Sequence, residues 1–396
     1  MTAPTDAPVD LLSIHEDLLT ERQQVLARLQ RERGRSLLEQ TDRDYLAAVH
    51  AQALSAGNSE DAETTRLLTR PFSTELPIPD YYRYTCMHVY SWFLDRYPED
   101  PVDGALLALH ETLADLVEVE RAAWDEDARP QHVVERIELL TGVLAKIRAV
   151  PLDPVAGVSV GDRLRHVAAD PVLGRRLALL VECSRFPRSD EHEEYIFLRS
   201  VQASEMVFFV LRRLATEVAA GMETFPARSA FRLAQANECA ELVSAIFEAL
   251  TTLTPEAFMT FREATGQASA VQSMNYHAME IALFGFDPRK AEVFARIDHL
   301  VVFNDPDVQA HRSLAAAAED AENEMLTAGW RQLDRTMARW RGSHYRFART
   351  YLPVGTKGSG NTEGAGYVRK FMKKDVCLVG TDPYAGLPLL SGFLSY

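Results

Sequence analysis

Apolar residues recur along this chain at helical spacing and almost nowhere in strict alternation. Between residues 8 and 33, Leu11, Leu12, Leu18, Leu19, Val25, Leu26 and Leu29 stand among charges at intervals close to one helical turn. The stretches Ala105–Ala123 and His132–Val150 repeat that pattern. Further along, it predicts long helices over 191–220, 227–253 and 316–350, and a shorter one over 271–284. Ser189 and Asp190 with Glu193 read as a capping box that opens the first of these. Thr254 followed by Pro255 reads as another helix start, and Pro353 as the stop of the last helix. No alternating β-branched runs with hairpin turns are present, so strands are expected to be few. The fold class expected is all-α.

Breakers divide the pattern. Gly57-Asn58-Ser59 and Arg70-Pro71 are turn signals. Pro77-Ile78-Pro79 and Pro98-Glu99-Asp100-Pro101 bracket an aromatic segment, Tyr81-Tyr82-Arg83-Tyr84 with His88 and Trp92. Pro151 to Gly157 reads as a loop or linker, and a soft boundary is expected between 151 and 185. That gives a helical N-terminal region, 1–160, without an evident role, and a second unit over 161–396.

Composition narrows the function. With 396 residues, 47% hydrophobic and 25% charged, the chain can bury a large core. A net charge of −15 argues against general affinity for nucleic acid, which needs a basic footprint. No window approaches the roughly 18 unbroken apolar residues of a membrane span. The N-terminus lacks the basic start and apolar core of a signal peptide, so a cytoplasmic protein is expected. Cys86, Cys183, Cys239 and Cys377 are scattered, which implies neither a disulfide framework nor a zinc knuckle. Without a Cys-x-x-Cys-His stretch, a heme would not be attached through that motif.

The candidate chemistry lies near the C-terminus. Trp340-Arg341-Gly342-Ser343-His344 places a histidine on a helix beside a tryptophan. A glycine-rich loop follows, Gly358-Ser359-Gly360 to Gly364-Ala365-Gly366-Tyr367. An imidazole on a rigid helix suits an axial ligand to heme iron, and glycines let backbone approach a ligand. The plainer readings are a satisfied helix-face histidine and a surface loop.

This segment resembles the C-terminal signature of the tryptophan 2,3-dioxygenase family, where Trp-Arg-x-x-His supplies the proximal heme ligand ahead of a glycine-rich substrate loop. Two earlier stretches resemble the same family in the same order. His192-Glu193-Glu194-Tyr195-Ile196-Phe197 leading to Gln202-Ala203-Ser204-Glu205 is similar to its His-Asp-Glu-x-x-Phe and His-Gln-x-x-Glu run. Thr254-Pro255, Phe261-Arg262, and Ser269 to Tyr276 with Glu280 are similar to its Thr-Pro, Phe-Arg and Ser-Gly-Phe-Gln-Ser-Leu-Gln-Phe-Arg-x-x-Glu run. The resemblance covers roughly residues 183–373.

The resemblance implies a long-helix, heme-binding bundle with an additional helical N-terminal half. It implies non-covalent heme b, Fe(II) and O2 as cofactors, a small indole substrate and a homo-oligomer. The implied reaction is dioxygenation of an indole C2–C3 bond. A monooxygenase acting on an aromatic ring and a non-catalytic heme sensor or carrier remain alternatives. His344 would be the axial ligand, and no other catalytic group is implied. Phe197 matches the family's indole-packing phenylalanine, and Ser359 keeps the hydroxyl of its substrate-contacting threonine. Two positions depart. Val201 stands where the family often has a histidine, leaving an apolar wall that cannot hydrogen-bond. His277 replaces the arginine that clamps a substrate carboxylate, and histidine cannot make the forked pair. It is expected to donate a single hydrogen bond instead, with Arg341, Arg346 or Arg199 as candidates for the missing charge. The expected substrate is therefore tryptophan or, ahead of it, a modified indole acid. In the family an N-terminal segment with tyrosines reaches a neighbouring subunit's site; for Tyr81–Tyr84 that role and ordinary helix packing both stand open.

Overall fold

The structure, a computed structural model, describes residues 18–352, 364–374, 382–384 and 386–388. Among these the chain is all-α, and its one sheet is a two-stranded antiparallel hairpin, Pro151–Asp153 with Val158–Ser159. The hairpin occupies the stretch read as a linker. Asp153 makes its turn, its carboxylate accepting from the backbone N–H groups of Val155 and Ala156 at 2.7 and 2.8 Å. Two helices, Val160–Ala169 and Pro171–Ser184, fill the rest of the expected boundary region.

The Glu194–Gly221 helix is the axle of the molecule. Its sequence buries side chains around nearly its whole circumference, from Ile196 and Leu198 to Leu211 and Val218. Such a helix needs partners on every side. They are Pro101–Ala122, Pro226–Leu250 and Met274–Phe284. One core cluster runs from Leu18 to Tyr351 and takes in residues on both sides of position 160. Two arginines buried on or against the axle are paired with carboxylates, which offsets their desolvation. Arg199 donates to Asp115 through Nε at 3.0 Å and Nη2 at 2.5 Å. Fully buried Arg136 reaches Glu120 at 2.7 Å and Glu193 at 2.6 Å.

The expected helices are found with shifted ends. Thr254 caps Pro255–Phe261, its hydroxyl accepting from Ala257 N–H at 3.1 Å. The capping box at Ser189 is a correction. The helix begins at Glu194, and it is the Glu194 carboxylate, not Glu193, that accepts from the backbone of Arg188 and Ser189 at 2.9 and 2.7 Å. The long 316–350 helix is also two: Leu314–Asp320 and Glu324–Tyr351. Asn323 breaks it, because its side chain accepts from the N–H groups of Met325 and Leu326 and starts a new helix. Of the first predicted helix, Glu21–Arg33 is seen, and its earlier part lies outside the described residues.

Glu324–Tyr351 lies close against Pro226–Leu250. At Gly329 a Cβ would stand 2.8 Å from the end of the Leu233 side chain, so any other residue would require that leucine to move. The contact brings the C-terminal part of this helix, with Trp340 and His344, over Phe247. No described helix is long and apolar enough to cross a membrane.

Candidate functional site

Between these helices lies a cavity of about 280 Å³ with an apolar lining rich in aromatic rings. The Glu194–Gly221 helix supplies Phe197, Ser200, Val201, Ser204 and Phe208; Glu324–Tyr351 supplies Trp340, Arg341, His344 and Phe347. Phe197 and Val201 stand one helical turn apart and therefore share a face. The structure thus gathers His344, Phe197, Val201 and His277 around one space, although they are separated by up to 147 positions in sequence. Ser359 and the Gly358–Gly360 turn lie outside the described residues. The end of that loop is seen: Gly364 has φ of +61°, which favours glycine, and lines the cavity beside Tyr367 and Val368.

His344 is held at the cavity wall by rings. Its ring stacks on Trp340 at 5.7 Å and meets Phe247 edge-on at 5.4 Å. These contacts fix the ring without using its nitrogens, and no hydrogen bond joins them to another described residue. Burial lowers the pKa to about 4, so the imidazole is neutral at ordinary pH. A neutral imidazole with an uncommitted nitrogen at a cavity wall can accept a hydrogen bond or a metal ion. Among the described residues no group of three or more His, Cys, Asp or Glu side chains could hold a metal ion.

Phe197 packs against Phe258 at 5.4 Å, Phe261 at 5.8 Å and Tyr84 at 6.4 Å. Val201 presents its methyl groups to the same space. Beside it, Ser200 Oγ is buried with no hydrogen-bond partner among the described residues.

His277 differs from expectation. Its Nε2 donates to Val271 O at 2.9 Å, and its Nδ1 accepts from Lys290 Nζ at 3.2 Å. Burial and the Lys290 charge hold the ring well below the usual histidine range, so it stays neutral. Both nitrogens being used inside the protein, the single hydrogen bond expected from His277 to a carboxylate is not on offer.

Nor do the proposed substitutes for the missing arginine all reach the cavity. Arg199 is spent on Asp115, and Arg346 donates to Ser343 at 2.8 Å on the exposed side. Arg341 does line the cavity. So does Lys290, which no sequence motif marked; a lone lysine beyond the resembling blocks carries no signal of its own.

The N-terminal region takes part as well. Tyr81 and Tyr84 line the cavity of their own chain. Tyr81 donates to Glu205 at 2.7 Å, and Glu205 also accepts from Asn275 at 3.0 Å. Burial raises the Glu205 pKa against those hydrogen bonds. Tyr82, His88 and Trp92 serve packing, and Tyr82 accepts from Met274 N–H at 2.9 Å.

Comparison with known proteins bears on this cavity. The chain is 27% identical over 141 residues to a tryptophan 2,3-dioxygenase of Bacillus anthracis, covering 35% of this chain and 48% of that protein. It is 31% identical over 114 residues to that of Xanthomonas euvesicatoria pv. vesicatoria, covering 27% and 37%. A third, from Caulobacter vibrioides, is 23% identical over 256 residues, 52% of this chain and 95% of its own length. This chain resembles the tryptophan 2,3-dioxygenases. It spans about half the length, or less, of the first relatives it matches. No protein-family model matches the chain.

Proposed function

We propose that this protein is a heme-dependent oxygenase that cleaves the C2–C3 bond of an indole acid other than free tryptophan. The observation that carries the reading is His344, a neutral imidazole held by rings alone and facing an aromatic cavity.

The residues present fit a heme. A porphyrin needs an apolar slot, an axial ligand and cationic groups near its acid chains. Phe208, Phe247, Leu250 and Phe347 offer the slot. Arg341 lines the same cavity, and its Nη1 is buried with no hydrogen-bond partner among the described residues. Heme, when bound, supplies the activation of O2 that the side chains cannot.

The chain's own contribution is to hold and exclude. His344 would ligate the iron through a ring nitrogen, with Trp340 and Phe247 fixing its plane. Phe197 and Val201 would shape the slot for the substrate ring and orient it, which is where much of the rate gain of a positioned reaction arises. Phe258 and Tyr351 keep water from that end. Ser359 would hold the polar end of the substrate. With His277 in the family's arginine position, the forked carboxylate clamp is missing, and this favours an altered indole acid over tryptophan.

The test is the fate of labelled O2. Purified protein loaded with heme is given tryptophan, methylated indoles and indole acids, and product masses are read. Two labelled oxygen atoms in a ring-opened product support the reading. A single labelled atom in a hydroxylated product or oxindole replaces it with monooxygenation. Spectral change without any product makes the protein a sensor or carrier.

A further inference from the structure

Glu280, on the Met274–Phe284 helix, carries one negative charge and serves two lysines. Lys290 Nζ meets one carboxylate oxygen and Lys374 Nζ the other. All three side chains are at most 7% exposed. Buried charges persist only where they are compensated, and one carboxylate cannot neutralise two ammonium groups. The neighbouring acids do not close the gap. Asp287 is paired with Arg289 at 2.8 Å. Arg341 adds another buried cation, and its contact with Asp334, half exposed, is a distant 3.7 Å. Among the described residues, this end of the cavity therefore holds a surplus of buried positive charge.

Lys290 is the lysine of the pair that lines the cavity. An ammonium group has three N–H donors. Glu280 takes one and His277 Nδ1 takes a second, at 3.2 Å. His277 is itself locked by its bond to Val271 O and by edge-on packing against Phe294 at 4.9 Å. The ammonium group also lies over the Tyr276 and Phe371 rings, 4.8 and 5.4 Å from their centroids, and its third N–H meets no oxygen or nitrogen of the described residues at the wall of this aromatic-rich cavity.

We propose that Lys290, steered by His277 and Glu280, is the group that recognises a carboxylate in this cavity. The inference rests on the reading of this space as an aromatic-substrate site, and it gives His277 a positioning role in place of a binding one. The carboxylate belongs either to the substrate or to a porphyrin acid chain, and the experiment separates the two.

The full-length protein is titrated with indole-3-propionic acid and with its primary amide, which matches it in shape and lacks the charge. Separately it is titrated with hemin and with hemin dimethyl ester. A charge-assisted hydrogen bond in a buried site corresponds to a preference of about ten- to a hundredfold for the acid. Lys290→Met should abolish that preference and Lys290→Arg should keep most of it. His277→Phe, which preserves the packing against Phe294, should lose part of it. If Lys290→Met leaves the acid-to-amide ratio intact but erases the preference for hemin over its ester, the carboxylate recognised is the porphyrin's. If neither ratio moves, the proposal is overturned. Should Lys290→Met not fold, equal wild-type affinity within both pairs overturns it just as well. Failure to bind hemin at all would reject the heme reading while leaving the acid-to-amide ratio to judge Lys290.

Discussion

Two histidines on two helices face the same cavity from different ends, and their surroundings give them opposite work. His344 is gripped by Trp340 and Phe247, and no described residue hydrogen-bonds to its nitrogens. His277 is gripped through its nitrogens, by Val271 O on one side and Lys290 on the other. Burial keeps both neutral. What separates them is whether the protein has already used their lone pair and their N–H. An imidazole with open nitrogens can take a ligand, whereas one with both nitrogens committed can only position its neighbours.

The sharpest way to break this contrast is to remove each ring. His344→Ala should lose most of the bound heme or its normal absorption spectrum, the largest effect expected of any single change here. His277→Phe should keep the heme. Equal heme content and an unchanged spectrum in His344→Ala would end the ligand assignment.

The place of His344 at the cavity wall was legible because its surroundings are local: a tryptophan four residues earlier, on the same helical face, and a glycine-rich stretch shortly after in sequence. Phe197 and Val201 were legible for the same reason, as neighbours on one turn. The hydrogen-bond state of His277 was not, since it depends on Lys290, 13 residues away and across a chain reversal. Sequence spacing shows which residues share a helix face but not what another element brings to that face. Tyr81 and Tyr84 illustrate this at longer range, reaching the cavity from more than a hundred residues before Phe197. The break at Asn323 was missed for a different reason. Helical periodicity continues across it, and an internal cap overrides that pattern only when the tertiary fold lets the chain turn.

The charged end of the cavity invites a second comparison, with the buried pair Arg199–Asp115. There too one carboxylate serves two cations, Asp115 accepting from Arg199 and, at 2.8 Å, from Arg185; but Arg185 is 22% exposed and also reaches Glu182 at 3.2 Å, so water and a second acid share its charge. Asp115→Ala strands fully buried Arg199, and a broken buried pair costs about 3–5 kcal/mol. Urea denaturation should show a loss of that order, with little change in the acid-to-amide preference measured for Lys290. A shift in that preference as large as the one from Lys290→Met would mean that the two charge clusters are not separate.

Histidines remote from the cavity give a smaller effect, visible in pH. His88 is fully buried, with Nε2 against Leu67 O at 3.0 Å, and burial lowers its pKa to about 3. His50 is lowered to about 4, again mainly by burial, with Nδ1 at 3.0 Å from Thr69 Oγ1. Folded, these rings stay neutral where the unfolded chain protonates. The unfolded state thus binds more protons below about pH 6.5, and stability falls as pH drops from there towards 4. The loss between pH 6.5 and 4.5 should be about 2 kcal/mol for each of the two rings. His88→Gln should flatten part of that slope in urea titrations run at both pH values. A slope unchanged in the variant would assign the acid sensitivity to other groups.

The smallest effect expected concerns Val201, and it tests whether the wall it shares with Phe197 touches the substrate. The side chain lines the cavity one turn from Phe197, next to Ser200, whose hydroxyl is buried without a partner among the described residues. Val201→His adds volume to that wall and introduces a polar ring. An imidazole buried without a partner costs of order 1–3 kcal/mol, and overfilling a packed wall adds strain. Two things soften the penalty. Ser200 can offer its hydroxyl to the new ring, and an unsubstituted indole can offer its N–H. A substrate alkylated on the ring nitrogen has no such donor and also meets the added bulk. The variant should therefore lose more affinity for an N-methylindole acid than for its unmethylated twin, by about three- to tenfold, roughly the worth of one neutral hydrogen bond. Binding titrations of the matched pair decide the matter. An equal change for both would place the substrate ring elsewhere in the cavity and leave Val201 as part of the core that holds Phe197 in place.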